Sequence, residues 1–157
     1  MKNKAFTLIE LMIVIAIIVF LASIGIPKYK SYILKAKQAE IAVNLSALHA
    51  AEQAYWAEHG EYTTQLGGEN GIWQPEGYKG GGKESSFHYT YGFNFPGAKE
   101  GVHFFTGKLE TPKEQLGVCS ADKENFVAKA AGNLVKDKTD IWQIDETREI
   151  KNIQKGI

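Results

Sequence analysis

Apolar residues fill positions 6–26 almost without interruption, and Glu10 is the only charged side chain among them. As an α-helix this segment would be about 31 Å long, close to the thickness of a bilayer's hydrocarbon core. In lipid an ionised Glu10 would cost about 3 kcal/mol unless it were protonated or paired. The pattern therefore predicts a membrane-spanning helix with one residue that needs a partner.

Over residues 29–59 the pattern stays helical but becomes amphipathic, with apolar residues recurring at steps of three, four and seven. The apolar face comprises Leu34, Ile41, Leu45, Leu48 and Tyr55, and the polar positions comprise Lys30, Lys35, Lys37, Glu40, Glu52 and Glu58. We expect this half of the helix to pack beneath a small head and to end at Gly60. Gly25 and Pro27 interrupt the helical signal between the two halves, which predicts a kink, because proline removes one helical hydrogen bond.

The rest of the chain reads as a loop followed by strands. Residues 61–86 contain seven glycines, and no strand precedes them and no Gly-Lys-Ser/Thr ends them, so they form a loop that is not a phosphate cradle. Residues 87–95 then alternate regularly, which predicts a strand whose buried face carries Phe87, Tyr89, Tyr91, Phe93 and Phe95. Further strands are predicted over 102–109, 126–131, 141–144 and 148–153, with a turn around Glu146 and Thr147. Together these elements predict an α+β chain: a long helical spine packed against a small antiparallel sheet, most simply a meander.

Composition and spacing give no indication of an enzyme. Acidic and basic residues balance at 18 each, so no basic excess points to a nucleic acid. The histidines are scattered, with none at metal-ligand spacing beside a cysteine pair: they are His49, His59, His88 and His103. We therefore expect no catalytic site, cofactor or metal, although an acidic cluster could bind a cation despite lacking a recognisable loop pattern: Asp137, Asp140, Asp145 and Glu146.

Cys119 is the only cysteine, so no disulfide can form within the chain. The thiol is either a small buried apolar group, or a free reactive site or half of an intermolecular disulfide. The usual burial of free cysteine favours the first interpretation.

The residues AFTLIELMIVIAII, with Lys2 and Lys4 before them and Pro27 after them, resemble the amino-terminal signature of type IV pilins and pseudopilins. The resemblance implies that a prepilin peptidase cuts between Ala5 and Phe6 and methylates the new amino group of Phe6. Relatives nearly always have glycine where Ala5 stands. The implied organisation is a leader at 1–5, a transmembrane and filament-core helix at 6–27, an amphipathic helix at 28–60, a glycine-rich αβ loop at 61–86 and a β-sheet head at 87–157.

The resemblance also implies a partner for Glu10. In a helical filament the Phe6 amine of one subunit can meet Glu10 of a neighbour, and Thr7 can add a hydrogen bond there. Such a pair strengthens where there is little water, and an unpaired charge becomes costly. The alternative is that Glu10 lies near the membrane interface and simply snorkels or takes a proton.

The function implied is that of a structural subunit. The chain would cross the bacterial inner membrane once, with its basic leader inside. An assembly platform would then add it to a homopolymeric surface pilus used for adhesion or twitching motility. Two alternatives stay open: a pseudopilin of a type II secretion system, and a single-span anchored binding protein that does not polymerise.

Overall fold

The computed structural model describes residues 6–157 and confirms the α+β class. The predicted leader, residues 1–5, lies outside them. One helix, α1 (Leu8–His59), precedes a mostly antiparallel sheet and two short 3₁₀ helices, Gly82–Glu84 and Lys113–Leu116. The strands are β1 (Thr90–Gly92), β2 (Phe104–Phe105), β3 (Ser120–Ala121), β4 (Phe126–Val135), β5 (Lys138–Asp145) and β6 (Lys151–Gln154).

The chain divides into two compact units, the first ending at Ala36 and the second running from Lys37 to Ile157. In the first unit almost all the apolar side chains of α1 are exposed, Leu8 by 77% and Phe20 by 65% for example, whereas Leu34 is half-buried. A helix this long and this apolar can cross a membrane. The helix continues through Gly25 and Pro27, so neither residue ends it, and the kink stays a prediction.

In the second unit α1 contributes a buried stripe to the core. Ile41, Leu45 and Leu48 are fully buried, as their spacing predicted, whereas Tyr55 is half-buried. Glu52, predicted among the polar positions, is instead fully buried one turn beyond Leu48, so this prediction is wrong. The helix ends where predicted: Gly60 has a φ of +73°, and its N–H donates to the Trp56 carbonyl at 2.8 Å.

The sheet has the order β2-β1-β4-β5-β6, and β3 pairs with the start of β4. The predicted meander is correct for the β1–β2 pair and for β4, β5 and β6. It is wrong for the step from β2 to β4, because β4 pairs with β1 and leaves β2 at the edge. A long connection, residues 106–125, makes this order possible. It contains the 3₁₀ helix Lys113–Leu116, which contacts β1, β4 and β5. The chain therefore does not form a hairpin from β2 to β4, and β4 pairs with the edge of β1 opposite to β2.

The aromatic strand predicted over 87–95 is shorter than expected. Phe87, Tyr89, Tyr91 and Phe93 are buried as predicted, but Phe95 is only half-buried, and Thr90 on the opposite face is buried too. Its first amides, those of His88 and Tyr89, donate to the Glu40 carboxylate of α1 instead of to a neighbouring strand. At its other end Gly92 has a φ of +130°, which ends the extended conformation.

The later strands differ from prediction mainly at their ends. The strand predicted over 102–109 is limited to β2, and those predicted over 126–131 and 141–144 extend into β4 and β5. The last strand begins three residues late, because Arg148, at a φ of +65°, belongs to the turn. The predicted turn at Glu146 and Thr147 is confirmed by an Arg148 N–H bond to the Asp145 carbonyl at 3.0 Å.

Candidate assembly site

The start of α1 is built by a reciprocal pair of hydrogen bonds between Thr7 and Glu10. The Thr7 hydroxyl accepts from the Glu10 N–H at 3.3 Å, and the Glu10 Oε2 accepts from the Thr7 N–H at 2.8 Å and from the Thr7 hydroxyl at 2.7 Å. This is a capping box, in which two N–H groups that the helix cannot pair are satisfied by side chains.

The capping box gives Glu10 a role within its own chain. A Thr-x-x-Glu spacing before an apolar run is the sequence signature of such a cap, and the sequence-based hypothesis overlooked it. Both Thr7 donors converge on Oε2, and no donor among residues 6–157 contacts Oε1. One carboxylate oxygen therefore orders the helix start, and the other can accept a second group.

The structure brings together three of the predicted site residues, Phe6, Thr7 and Glu10. Phe6 is 80% exposed beside the capping box. Ala5, the predicted residue before the cut, lies outside the described residues. Gly25 and Pro27 lie far along α1, at least fifteen residues from Glu10, and take no part in this site.

A family model described as the prokaryotic N-terminal methylation motif matches residues 1–26. The type IV major pilin protein PilA of Myxococcus xanthus strain DK1622 is 45% identical to this chain over 62 residues, 40% of this chain and 28% of that protein. The resemblance to type IV pilins is confirmed. Prepilin peptidase-dependent protein D of Escherichia coli K12 is 43% identical to this pilin-like chain over 74 residues, 47% of this chain and 51% of that protein.

The fimbrial protein of Neisseria meningitidis serogroup B, strain MC58, is 42% identical over 60 residues, 38% of the pilin-like chain and 35% of that protein. The chain thus spans between 28% and 51% of the length of these three relatives.

In the pilin-like head, Glu40 joins α1 to the first aromatic strand. Its Oε1 accepts from the His88 N–H at 2.7 Å, the Tyr89 N–H at 3.1 Å and the Tyr91 hydroxyl at 3.1 Å. Its Oε2 lies 2.9 Å from Nδ1 of His88. Burial raises the pKa of Tyr91 well above its ordinary value, so the hydroxyl stays protonated and donates. Glu40 therefore works as an anchor between helix and sheet.

A second carboxylate, that of Asp140 on β5, ties the carboxyl-terminal part of the head together. Asp140 is fully buried and accepts five hydrogen bonds at 2.7–3.2 Å, from Gln38, Tyr89, Trp142, Asn152 and the Gly156 N–H. Although burial alone would raise the pKa of Asp140, the side-chain donors lower it below its ordinary value. Asp140 therefore links α1, the first aromatic strand and the carboxyl-terminal segment through hydrogen bonds.

The other candidate ligands are also committed to the fold. The Asp145 Oδ1 accepts from the Thr147 N–H at 3.1 Å and from its hydroxyl, so it does not share a centre with Asp140. His49 Nε2 lies 3.2 Å from the Glu146 carbonyl, and His103 Nδ1 accepts from the Lys99 N–H at 3.0 Å. Within residues 6–157 no group of three histidine, cysteine or acidic side chains could hold a metal ion.

Cys119 is buried in the head. Burial raises the pKa of its thiol, against smaller opposing effects of the Asn94 backbone and the Lys129 charge. Within the fold it is a small core residue.

Proposed function

We propose that this chain is the structural subunit of a type IV pilus and has no catalytic role. The methylation motif over residues 1–26 and the pilin and fimbrial names of its relatives support a pilin-type subunit. The exposed apolar part of α1 supports two successive environments: the inner membrane before assembly, and a filament core of identical helices after it.

The observation that carries the proposal is the geometry of Glu10. A carboxylate in an apolar helix needs hydrogen-bond donors or a counter-ion. Among residues 6–157 the capping box supplies donors to Oε2 only. After cleavage the Phe6 amine of a neighbouring subunit would approach Oε1. In a medium with little water that pair favours association over a solitary chain, because an uncompensated charge is costly there.

Processing is the second part of the proposal. A prepilin peptidase would cut between Ala5 and Phe6 and methylate Phe6, which creates the positive charge that Glu10 needs. The match to a methylation motif and a relative named for its dependence on prepilin peptidase support this step. An assembly platform would then draw the chain from the membrane into a fibre.

The segment boundaries expected from the sequence fit the same proposal. Residues 6–27 would form the membrane and filament-core segment and 28–60 the amphipathic helix under the head. The loop at 61–86 and the head at 87–157 would form the outer surface of the fibre and determine what the fibre contacts.

The test is Glu10→Ala, with Glu58→Ala as the matched control, because Glu58 is an exposed glutamate of the same helix. We expect Glu10→Ala to insert in the inner membrane at the wild-type level and to yield at least about tenfold fewer filaments in sheared surface material, since one ionic contact per subunit is lost. Mass spectrometry of wild-type fibres should find N-methylated Phe6 as the first residue. Wild-type fibre yield from Glu10→Ala, or a mature chain that begins at Met1, would contradict the proposal.

A pseudopilin is the second candidate, because the name of the Escherichia coli relative states peptidase dependence without naming a fibre. It predicts the same cleavage and the same need for Glu10. The filaments separate the two: a pilin forms fibres that extend beyond the cell, and a pseudopilin forms a short assembly inside the envelope.

A further inference from the structure

A carboxyl group occupies a core position near the end of α1. The buried residues Ile41, Leu45, Leu48 and Glu52 follow one another at steps of four, three and four, so they line a single face of the helix. The first three are apolar. Glu52 is fully buried at the position where this pattern calls for another apolar side chain.

The two oxygens of Glu52 have different surroundings. Oε2 accepts the Thr63 N–H at 3.1 Å, which links α1 to the loop that begins after Gly60. Oε1 is buried and has no hydrogen-bond partner among residues 6–157. A buried polar atom without a partner is uncommon in a native protein and costs free energy, far more so when it carries a charge.

The segments that contact this end of α1 do so mainly through backbone oxygens. The Trp56 indole donates to the Lys123 carbonyl at 3.1 Å, and His49 and Gln53 contact the Glu146 carbonyl at 3.2 and 3.4 Å. Tyr62, in the loop, accepts from the Gln53 amide at 3.1 Å.

The titratable side chains of these segments are His49, Tyr55, Glu58 and His59 on α1, Glu61 and Tyr62 in the loop, Asp122, Lys123 and Glu124 in the turn before β4, and Asp145, Glu146 and Arg148 around the end of β5. The Asp122 carboxylate caps its own turn through the Glu124 and Asn125 amides. Within residues 6–157 none of these side chains forms an ion pair or hydrogen bond with Glu52.

Burial raises the pKa of Glu52 to about 7, and the Thr63 N–H opposes this only in part. The carboxyl is thus neutral in the folded head at mildly acidic pH and ionised at mildly alkaline pH. Ionisation strengthens the Thr63 N–H bond to Oε2 but leaves charge in the core on Oε1, which has no donor among residues 6–157. Burial outweighs the Thr63 bond, so the ionised form is unfavourable in the closed head, and movement of the loop away from α1 would relieve that cost.

We propose that Glu52 is a pH-sensitive latch: protonated, it holds the loop that starts at Gly60 against the helix, and ionised, it releases that loop and weakens the head. The latch is independent of filament assembly, so it can fail while the proposed function stands, and the reverse.

The sign of the pH dependence of stability follows from the difference in proton binding between the folded and the unfolded chain. The folded head holds the Glu52 proton up to about pH 7, whereas the unfolded chain releases it near its ordinary pKa of 4.5. Stability from this group is therefore greatest below pH 4.5 and is lost as the pH rises towards 7. For these two pKa values the folding equilibrium weakens about 70-fold between pH 5 and pH 8, and about tenfold of that lies between pH 6 and pH 8.

The experiment compares wild type, Glu52→Gln and Glu58→Gln as full chains in non-ionic detergent micelles, by urea denaturation followed through tryptophan fluorescence at pH 5 and pH 8. Glutamine imitates the protonated acid and cannot ionise. We expect the folding constant of Glu52→Gln relative to wild type to rise about 70-fold from pH 5 to pH 8. The same ratio for the exposed Glu58→Gln control should stay constant.

A second measurement needs no variant. In the wild-type chain, hydrogen exchange at the Thr63 amide, corrected for intrinsic base catalysis, should become faster between pH 6 and pH 8. The Leu66 amide is the internal reference, because it donates to the Val102 carbonyl at 2.8 Å and not to a carboxyl. A pH-independent Glu52→Gln ratio, or Thr63 protection that follows that of Leu66 across this range, would overturn the latch.

Discussion

Replacing Asp140 by asparagine tests whether one buried carboxylate holds the carboxyl-terminal part of the head. Asp140 Oδ2 accepts from three donors and Oδ1 from two. Whichever oxygen the new amide nitrogen replaces, at least two donors lose their acceptor. A hydrogen bond to a charged group contributes about 1.5–3 kcal/mol, so we expect Asp140→Asn to lower the free energy of unfolding by about 3–6 kcal/mol. That is a large share of the stability of an ordinary domain.

The matched control is Asp137→Asn, the same chemical change in the exposed turn between β4 and β5. Asparagine tolerates the +60° φ of that position, so the control should change stability by less than about 0.5 kcal/mol. Urea denaturation of the full chain in micelles, followed by tryptophan fluorescence, measures both variants, and Trp142 reports directly because its indole donates to Asp140 at 2.9 Å. Equal effects from the two substitutions would refute the hub.

The same hub predicts a pH dependence. Burial opposes and the hydrogen bonds favour the ionised form, with the result that the folded-state pKa of Asp140 lies below its ordinary value of 3.8. Its stabilisation is therefore present above about pH 3.8 and is lost as the pH falls through the lower folded value. Asp140→Asn should remove this part of the decrease in the free energy of unfolding at low pH. If the variant loses stability at low pH as steeply as the wild type does, Asp140 does not contribute to that decrease.

Two further predictions concern the packing of the head. Gly132→Ala would place a methyl group 2.6 Å from the Tyr89 ring, which Asp140 holds in place, so the same denaturation assay should show a loss of about 1–3 kcal/mol. Gly25→Ala, which meets nothing within 4 Å, is its control and should leave the head unchanged. Alkylation of Cys119 by iodoacetamide should be at least about tenfold slower in the native chain than in urea, because the thiol is buried and its pKa is raised. Equal rates would show that the thiol is accessible.

The helix could be predicted from the sequence because its signals are local. The spacing of Ile41, Leu45 and Leu48 fixes a buried stripe, and Gly60 supplies the left-handed residue that ends the helix. Position 52 continues this stripe four residues after Leu48, but a charged side chain predicts exposure, so the prediction for Glu52 was wrong.

The sheet was harder to predict because its limits depend on distant groups. Glu40 takes the amides of His88 and Tyr89, 48 and 49 residues away, and so shortens a strand whose alternation was correct. The pairing of β1 with β4 depends on how a 20-residue connection crosses the sheet. Neither alternation nor turn composition contains that information.

Three glutamates of α1 show why residue type did not predict role. Glu10 caps the start of the helix through Thr7, and Glu40 anchors the helix to the sheet. Glu52 lies in the core with one oxygen that is unpaired within the described part of the chain. Asp140, with five donors, stabilises the fold when it is ionised, whereas Glu52, buried with a single donor from residues 6–157, stabilises it only when it is protonated. For these two groups the number of donors sets the sign of the pH response. Asp140 and Glu52 in the same head should respond in opposite directions as the pH rises, the first completing its stabilisation where the second begins to lose its own.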